Sequence, residues 1–359
     1  MKRFLFLFLA ISAPLLGWQK KLKANIQSAH PPAWMIEQIQ DDLKPFAKGI
    51  ALTSIEEMLR LGIQDPTNHP FLHCKIINGK IEATTQFQDD PKVAELIKNL
   101  EILNSVVQFP SMEFLILLKE NTGDLNLSGP VFASAKDASK PGNFILFPDF
   151  EALSGGSQQF MKEVKKGVKK YPWKQKLDQA VWRGVTAGGK YNLENFLSFP
   201  RSQLITRSLD LPELIDAKYS ACWQIQDKNE ILQQYSQYFS APLSIAEHLR
   251  HKYQILVDGN SCTYSRAYWQ LFSNCVIFKQ TSNNIQWFYK ALKPYVHYIP
   301  VEKNFSDLPE KIEWAKLNDT KCFKISKNAQ SFAKKNLTRD QVFYYVYLLL
   351  NQYAKLWKS

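Results

Sequence analysis

The stretch Asp258-Gly259-Asn260-Ser261-Cys262-Thr263, with Arg266 just beyond it, is the part of the chain best suited to hold an anion. It follows an apolar run, Tyr253 to Val257, that reads as a strand, and Tyr264 to Phe272 reads as the helix after it. Free N–H groups and the dipole at a helix start attract phosphate, and an arginine in the first turn grips two phosphate oxygens at once. The plainer reading is a turn carrying a solvated arginine. Arg183-Gly184 repeats the logic after Ala180 to Trp182, the glycine letting backbone approach a ligand closely. Glu120 follows the apolar run Phe114 to Leu118, where a general base would face a bound hydroxyl. Asp124 is its neighbour and competitor, and a plain surface carboxylate is the alternative for both.

Other reactive side chains carry less. Glu247, His248 and His251 are spaced somewhat like metal ligands, but no HExxH is present. His297 reads as a structural strand residue. The five cysteines, Cys74, Cys222, Cys262, Cys275 and Cys322, contain no CxxC pair and read as mostly free thiols. The excess of Lys and Arg gives a net charge of +12, which favours an anionic partner such as a phosphate-bearing ligand or an acidic membrane surface. The lysines at 162–176 and 321–339 read as solvated helix faces, so a nucleic-acid partner is not expected.

These groups need elements to position them. Residues 33–60 read as helices broken near Pro45 and Gly49, and 71–87 alternate around Asn78-Gly79 in the manner of a hairpin. Residues 91–105 read as an amphipathic helix, Phe114 to Leu118 and Phe144 to Phe147 as strands buried on both faces. After a basic segment with Tyr171-Pro172-Trp173, strands and helices alternate. Val276 to Lys279 and His297 to Val301 read as strands, Ile285 to Leu292 and Leu308 to Leu317 as helices, and 321–357 as helical with a cap at Thr338-Arg339-Asp340. Such alternation predicts an α/β protein with two Rossmann-like halves. At the amino end, Lys2 and Arg3 precede an uncharged run from Phe4 to Gln19, shorter than the roughly 20 residues that span a bilayer. With Lys20, Lys21 and Lys23 beyond it, this run reads as a secretory signal, a membrane-surface anchor or a buried terminal element.

The second half resembles glycosyltransferase family 90, which includes fungal capsule-associated proteins, animal Rumi-type protein O-glucosyltransferases and bacterial lipopolysaccharide-modifying proteins. The resemblance rests on Lys252-Tyr253-Gln254-Ile255-Leu256-Val257-Asp258-Gly259, on Arg266, on Ser273 to Gln280 and on Trp287 to Val301. Upstream, Trp173-Lys174, Val181-Trp182-Arg183-Gly184 and Leu211 to Ala217 are similar to the family's segments.

The resemblance implies a GT-B-like fold, two Rossmann-like domains facing a cleft, with a C-terminal helix packing back on the first. It implies boundaries of 1–23 for the signal-like or anchoring segment, 24–172 for the acceptor-side domain, 173–337 for the nucleotide-sugar domain and 338–359 for the last helix. It implies an inverting, metal-independent transfer from a UDP-sugar, with no resident cofactor. Arg266 and Arg183 would hold the diphosphate, with Gly184, Thr186, Asp258 and Gly259 lining the same pocket. The family's acidic base, usually Asp, falls on Glu120, with Asp124 close by. Leu249 and Ser273 stand where animal secretory members carry cysteines, which favours the cytoplasmic face of a bacterial inner membrane over a secretory or periplasmic site. The expected acceptor is lipopolysaccharide or another glycan or glycolipid. The alternatives are transfer of glucose or xylose to protein, or a non-catalytic carbohydrate- or membrane-binding protein of this fold.

Overall fold

The computed structural model describes residues 13–28, 30–120, 122–123, 125–140, 142–154 and 157–358. Two five-stranded sheets organise the chain. The first has the order Lys80–Thr84, Phe71–Ile77, Met112–Leu117, Val131–Ala133, Phe144–Leu146. The expected hairpin is present: Asn78 and Gly79 take φ of 50° and 74°, as a two-residue turn matched to strand twist requires. So short a turn makes its strands antiparallel, with Ile76 opposite Ile81. Phe71–Ile77 also runs antiparallel to Met112–Leu117, and the last three strands are parallel. The first sheet is therefore mixed, and differs from the wholly parallel sheet of a Rossmann-like unit.

The second sheet is parallel throughout, in the order Ile299–Val301, Val276–Gln280, His251–Leu256, Leu177–Val185, Ile215–Ala221. Every residue of His251–Leu256 is buried, as a central strand covered on both faces demands. Its polar members are paired. Lys252 contacts Asp178 and reaches Asp319 at 2.8 Å, and the Gln254 amide donates to the carbonyls of His248 and His251.

The helix expected over 285–292 does not form. Asn284–Ile285 pairs antiparallel with Lys136–Asp137, and only a 3-10 turn, Tyr289–Ala291, follows. Trp287, Phe288 and Tyr289 are all buried, so three consecutive rings must point into apolar surroundings. A helix with one apolar face cannot do that. The helix Arg339–Leu356 begins at Thr338 as expected, although the Thr338 side chain makes no capping hydrogen bond.

That last helix lies on the first sheet's layer: the Tyr353 hydroxyl donates to Glu113 O at 3.0 Å, and Trp357 pairs with Ile50. One apolar core runs from the first sheet through helix Ser265–Phe272 to Trp287 and Phe288, and a second lies on the other sheet. The signal or anchor reading of 1–23 rests largely on residues 1–12, which lie outside the described residues. Further along, Leu22 and Ile26 are buried, and Trp18 Nε1 donates to Asp340 Oδ1 at 2.7 Å. Among the described residues no helix is long and apolar enough to cross a membrane.

Candidate functional site

The strand Met112–Leu117 delivers Glu120 to the rim of a cavity of about 850 Å3. The Glu120 side chain is exposed, while its backbone is fixed. Ser261 Oγ donates to Glu120 O at 2.6 Å and the Tyr264 hydroxyl donates to the same oxygen. The loop that ends the first sheet's strand is thus stitched to the loop that precedes Arg266. Thr263, Tyr264 and Ser265 form the cavity wall on that side. Asp124 lies outside the described residues.

Arg266 sits in the first turn of helix Ser265–Phe272. Its Nη2 donates to Arg183 O, its Nη1 is buried without a partner, and its guanidinium stacks 5.8 Å from the Trp269 ring centre. Burial, and then the charge of Arg201, push its pKa down to about 10. It therefore stays a cation at neutral pH, and a buried N–H with no acceptor is a site that an anion would satisfy.

The other residues expected here, like Arg266 itself, do not line that cavity, and most are tied up within the protein. Arg183 is buried and its guanidinium is engaged by Asp216, with Nη2 at 2.8 Å from Oδ1 and 3.0 Å from Oδ2. What it offers Arg266 is its carbonyl. The Thr186 hydroxyl is taken up by Trp223, accepting from Trp223 N at 2.7 Å and donating to Trp223 O. The Asp258 carboxylate accepts from Ser282 Oγ at 2.5 Å and Asn284 Nδ2 at 3.0 Å, and burial raises its pKa. Gly184 is required by its neighbour: a Cβ there would lie 2.3 Å from the Trp182 ring. Trp182 is 1% exposed and has nowhere to move. Gly184→Ala should therefore lower the urea midpoint, by about 1–3 kcal/mol of overpacking, with the denaturant slope unchanged.

Two features have no counterpart in the sequence reading. Arg201, in the first turn of helix Pro200–Asp210, donates from Nε to Asp258 O at 2.9 Å and from Nη1 to Val185 O at 2.7 Å. A Cβ on Gly259 would meet its Nη2 at 2.7 Å, so the missing side chain makes its room. The available signal is a cation in the first turn after Pro200, the end of a helix whose dipole disfavours it. The second feature is Asp149, 5% exposed in the cavity wall after strand Phe144–Leu146. Its Oδ1 accepts from Ala152 N at 3.1 Å. Oδ2, and Oε2 of nearby Glu151, are buried with no hydrogen bond of ordinary geometry. Tyr268, whose hydroxyl accepts from Trp287 Nε1 at 2.9 Å, backs the Asp149 carboxyl. Burial, and then Glu151, push the Asp149 pKa up to about 7.

The two histidines of the 247–251 cluster are both buried. Burial pushes His248 down to about 3 and His251 down to about 4, so both are neutral. Among the described residues no three His, Cys, Asp or Glu side chains group as a metal site. The cysteines are free.

The profile described as Glycosyl transferase family 90 matches residues 28–359. Protein O-glucosyltransferase 3 of Mus musculus is 29% identical over 273 residues, covering 71% of this chain and 50% of its own length. Protein O-glucosyltransferase 2 of Danio rerio is 27% identical over 94% of this chain and 64% of its own. Protein O-glucosyltransferase 1 of Rattus norvegicus is 25% identical over 88% of this chain and 79% of its own. The chain thus spans about half the length of the mouse relative. Among solved structures, the C-terminal domain of a glycosyl transferase group 1 family protein (LpcC) from Francisella tularensis covers 49% of this chain and 92% of its own, at 14% identity and a TM-score of 0.31.

Proposed function

The chain belongs to glycosyl transferase family 90, and from that membership we propose an inverting transfer from a UDP-sugar to a hydroxyl of a glycan or glycolipid such as lipopolysaccharide. The observation that carries the proposal is the docking of Glu120 on the Ser261–Tyr264 loop, which puts a carboxylate and the arginine-bearing helix start beside one cavity. The two sheets serve as the halves of a GT-B enzyme, the parallel one holding the donor.

The mechanism follows from what each group can do. Arg266, with its unpartnered N–H, and Arg201 beside it bind the diphosphate and stabilise the charge that grows as UDP leaves. Arg183 positions Arg266 through its carbonyl. Glu120 takes the acceptor proton as the hydroxyl attacks C1 from the face opposite UDP. The relatives' names support a second reading, in which the hydroxyl belongs to a protein side chain.

Calorimetric titration with UDP, followed by release of UDP from UDP-sugars with and without a glycolipid acceptor, tests the reading. Absence of both UDP binding and UDP release would remove it. The arginines supply the positive charge, so turnover should be unchanged by EDTA. Activity lost in EDTA and restored by manganese would show that a metal carries the diphosphate.

A further inference from the structure

The helix Asp319–Asn336 carries charge of one sign that nothing around it answers. Lys321, Lys324, Lys327, Lys334 and Lys335 are all exposed. At 3.6 residues per turn they fall within an arc of about 140°, while Cys322, Ile325, Ala329 and Phe332 fill the buried face. None of the five pairs with a described carboxylate, and no acidic residue stands between Asp319 and Asp340. Asp319 itself is taken by Lys252, at 2.8 Å, and by Trp173. Solvated helix faces normally interleave the two signs.

The cationic face is extended at both ends. Phe323 meets Trp173 with ring centres 5.3 Å apart, which brings in the exposed Lys169, Lys170 and Lys174. At the far end Lys21 lies 3.9 Å from Asp340, which brings in Lys20 and Lys23 of helix Ala13–Ser28. Apolar side chains stand among these charges. Leu317, just ahead of the helix, is 86% exposed, and Phe323 is 39% exposed. Tyr295 and Val296, also exposed, share a groove with Lys321 and Lys324.

We propose that this face docks the chain on an anionic phospholipid surface. The docking is independent of the donor and acceptor of the transfer. Every cation on the face is a lysine, a compact charge that suits a diffuse layer of headgroups, whereas gripping the single phosphates of a nucleic acid favours the planar fork of arginine. Leu317 gains by entering the lipid interface and has no ring to stack on a base.

The test is flotation of the full chain with vesicles of phosphatidylcholine alone, or of phosphatidylcholine with about 30% phosphatidylglycerol, across a salt series. Binding should require the anionic lipid and weaken as salt rises. Replacing Lys324, Lys327 and Lys334 together by Gln should weaken it about 100-fold. Replacing Lys48, Lys80 and Lys228 together by Gln removes the same charge elsewhere on the surface and should leave binding close to the parent's. All six side chains are exposed, so both triple variants should keep the parent's thermal midpoint. Leu317→Ser should cost about fivefold or more with the salt dependence unchanged. Equal binding with and without phosphatidylglycerol, or equal loss in the two triple variants, overturns the proposal. So does a parent chain that binds duplex DNA and leaves the vesicles.

Discussion

Glu120→Gln should cut sugar transfer by about 100-fold or more while UDP binds as before. The substitution keeps the length and shape of the side chain and removes only its ability to take a proton. The loop itself should not move, because its anchors are the Ser261 and Tyr264 hydroxyls on the Glu120 carbonyl, which the side chain does not touch. A fall in kcat with unchanged UDP affinity is therefore the signature of a lost base. Asp124→Asn is the matched control and should do much less. If Asp124→Asn is the crippling change, the base is Asp124. If neither change matters, the chain is a binding protein that kept the fold.

Arg266→Ala should weaken UDP binding at least tenfold and lower turnover by about 100- to 1,000-fold, the loss that follows removal of a donor to growing charge. The structural cost is small by comparison. The Arg183 carbonyl loses a donor, worth about 1 kcal/mol, and an unpartnered buried cationic group is removed at the same time. The thermal midpoint should therefore hardly move while affinity collapses. Arg266→Lys keeps a charge without the planar fork and should recover only part of the affinity. UDP affinity equal to the parent's in calorimetry would take Arg266 out of the donor site.

The residues that are legible in the sequence share one property: they stand just past a continuous apolar run. Buried strands such as Met112–Leu117 and His251–Leu256 have that pattern because neither face meets water, so their ends can be found and the loops beyond them searched. Glu120 and Arg266 are reached this way. Arg201 is not, because it lies at the start of Pro200–Asp210, after a loop with no strand end beside it. Pro148-Asp149-Phe150 does stand at a strand end. What distinguishes Asp149, a buried carboxyl whose pKa burial pushes up, depends on Tyr268 and Trp287 arriving from elsewhere in the chain. The same limit explains 285–292. A run of aromatic residues is compatible with a helix until the structure shows that every ring is surrounded.

The return of helix Arg339–Leu356 to the first sheet sets an order of events during synthesis. Tyr345, Leu349 and Tyr353 are fully buried there and complete a core begun by Leu72, Phe114 and Phe132. Strands 71–146 emerge from the ribosome long before those side chains exist. At roughly 5–20 residues per second, the nascent first sheet waits on the order of ten seconds or more with an uncovered apolar face. Strands 177–301 of the second sheet are all in hand before the last helix appears. The chain's earliest strands are therefore the last to be sealed, and premature termination shortly before residue 339 should yield a product that holdase chaperones retain.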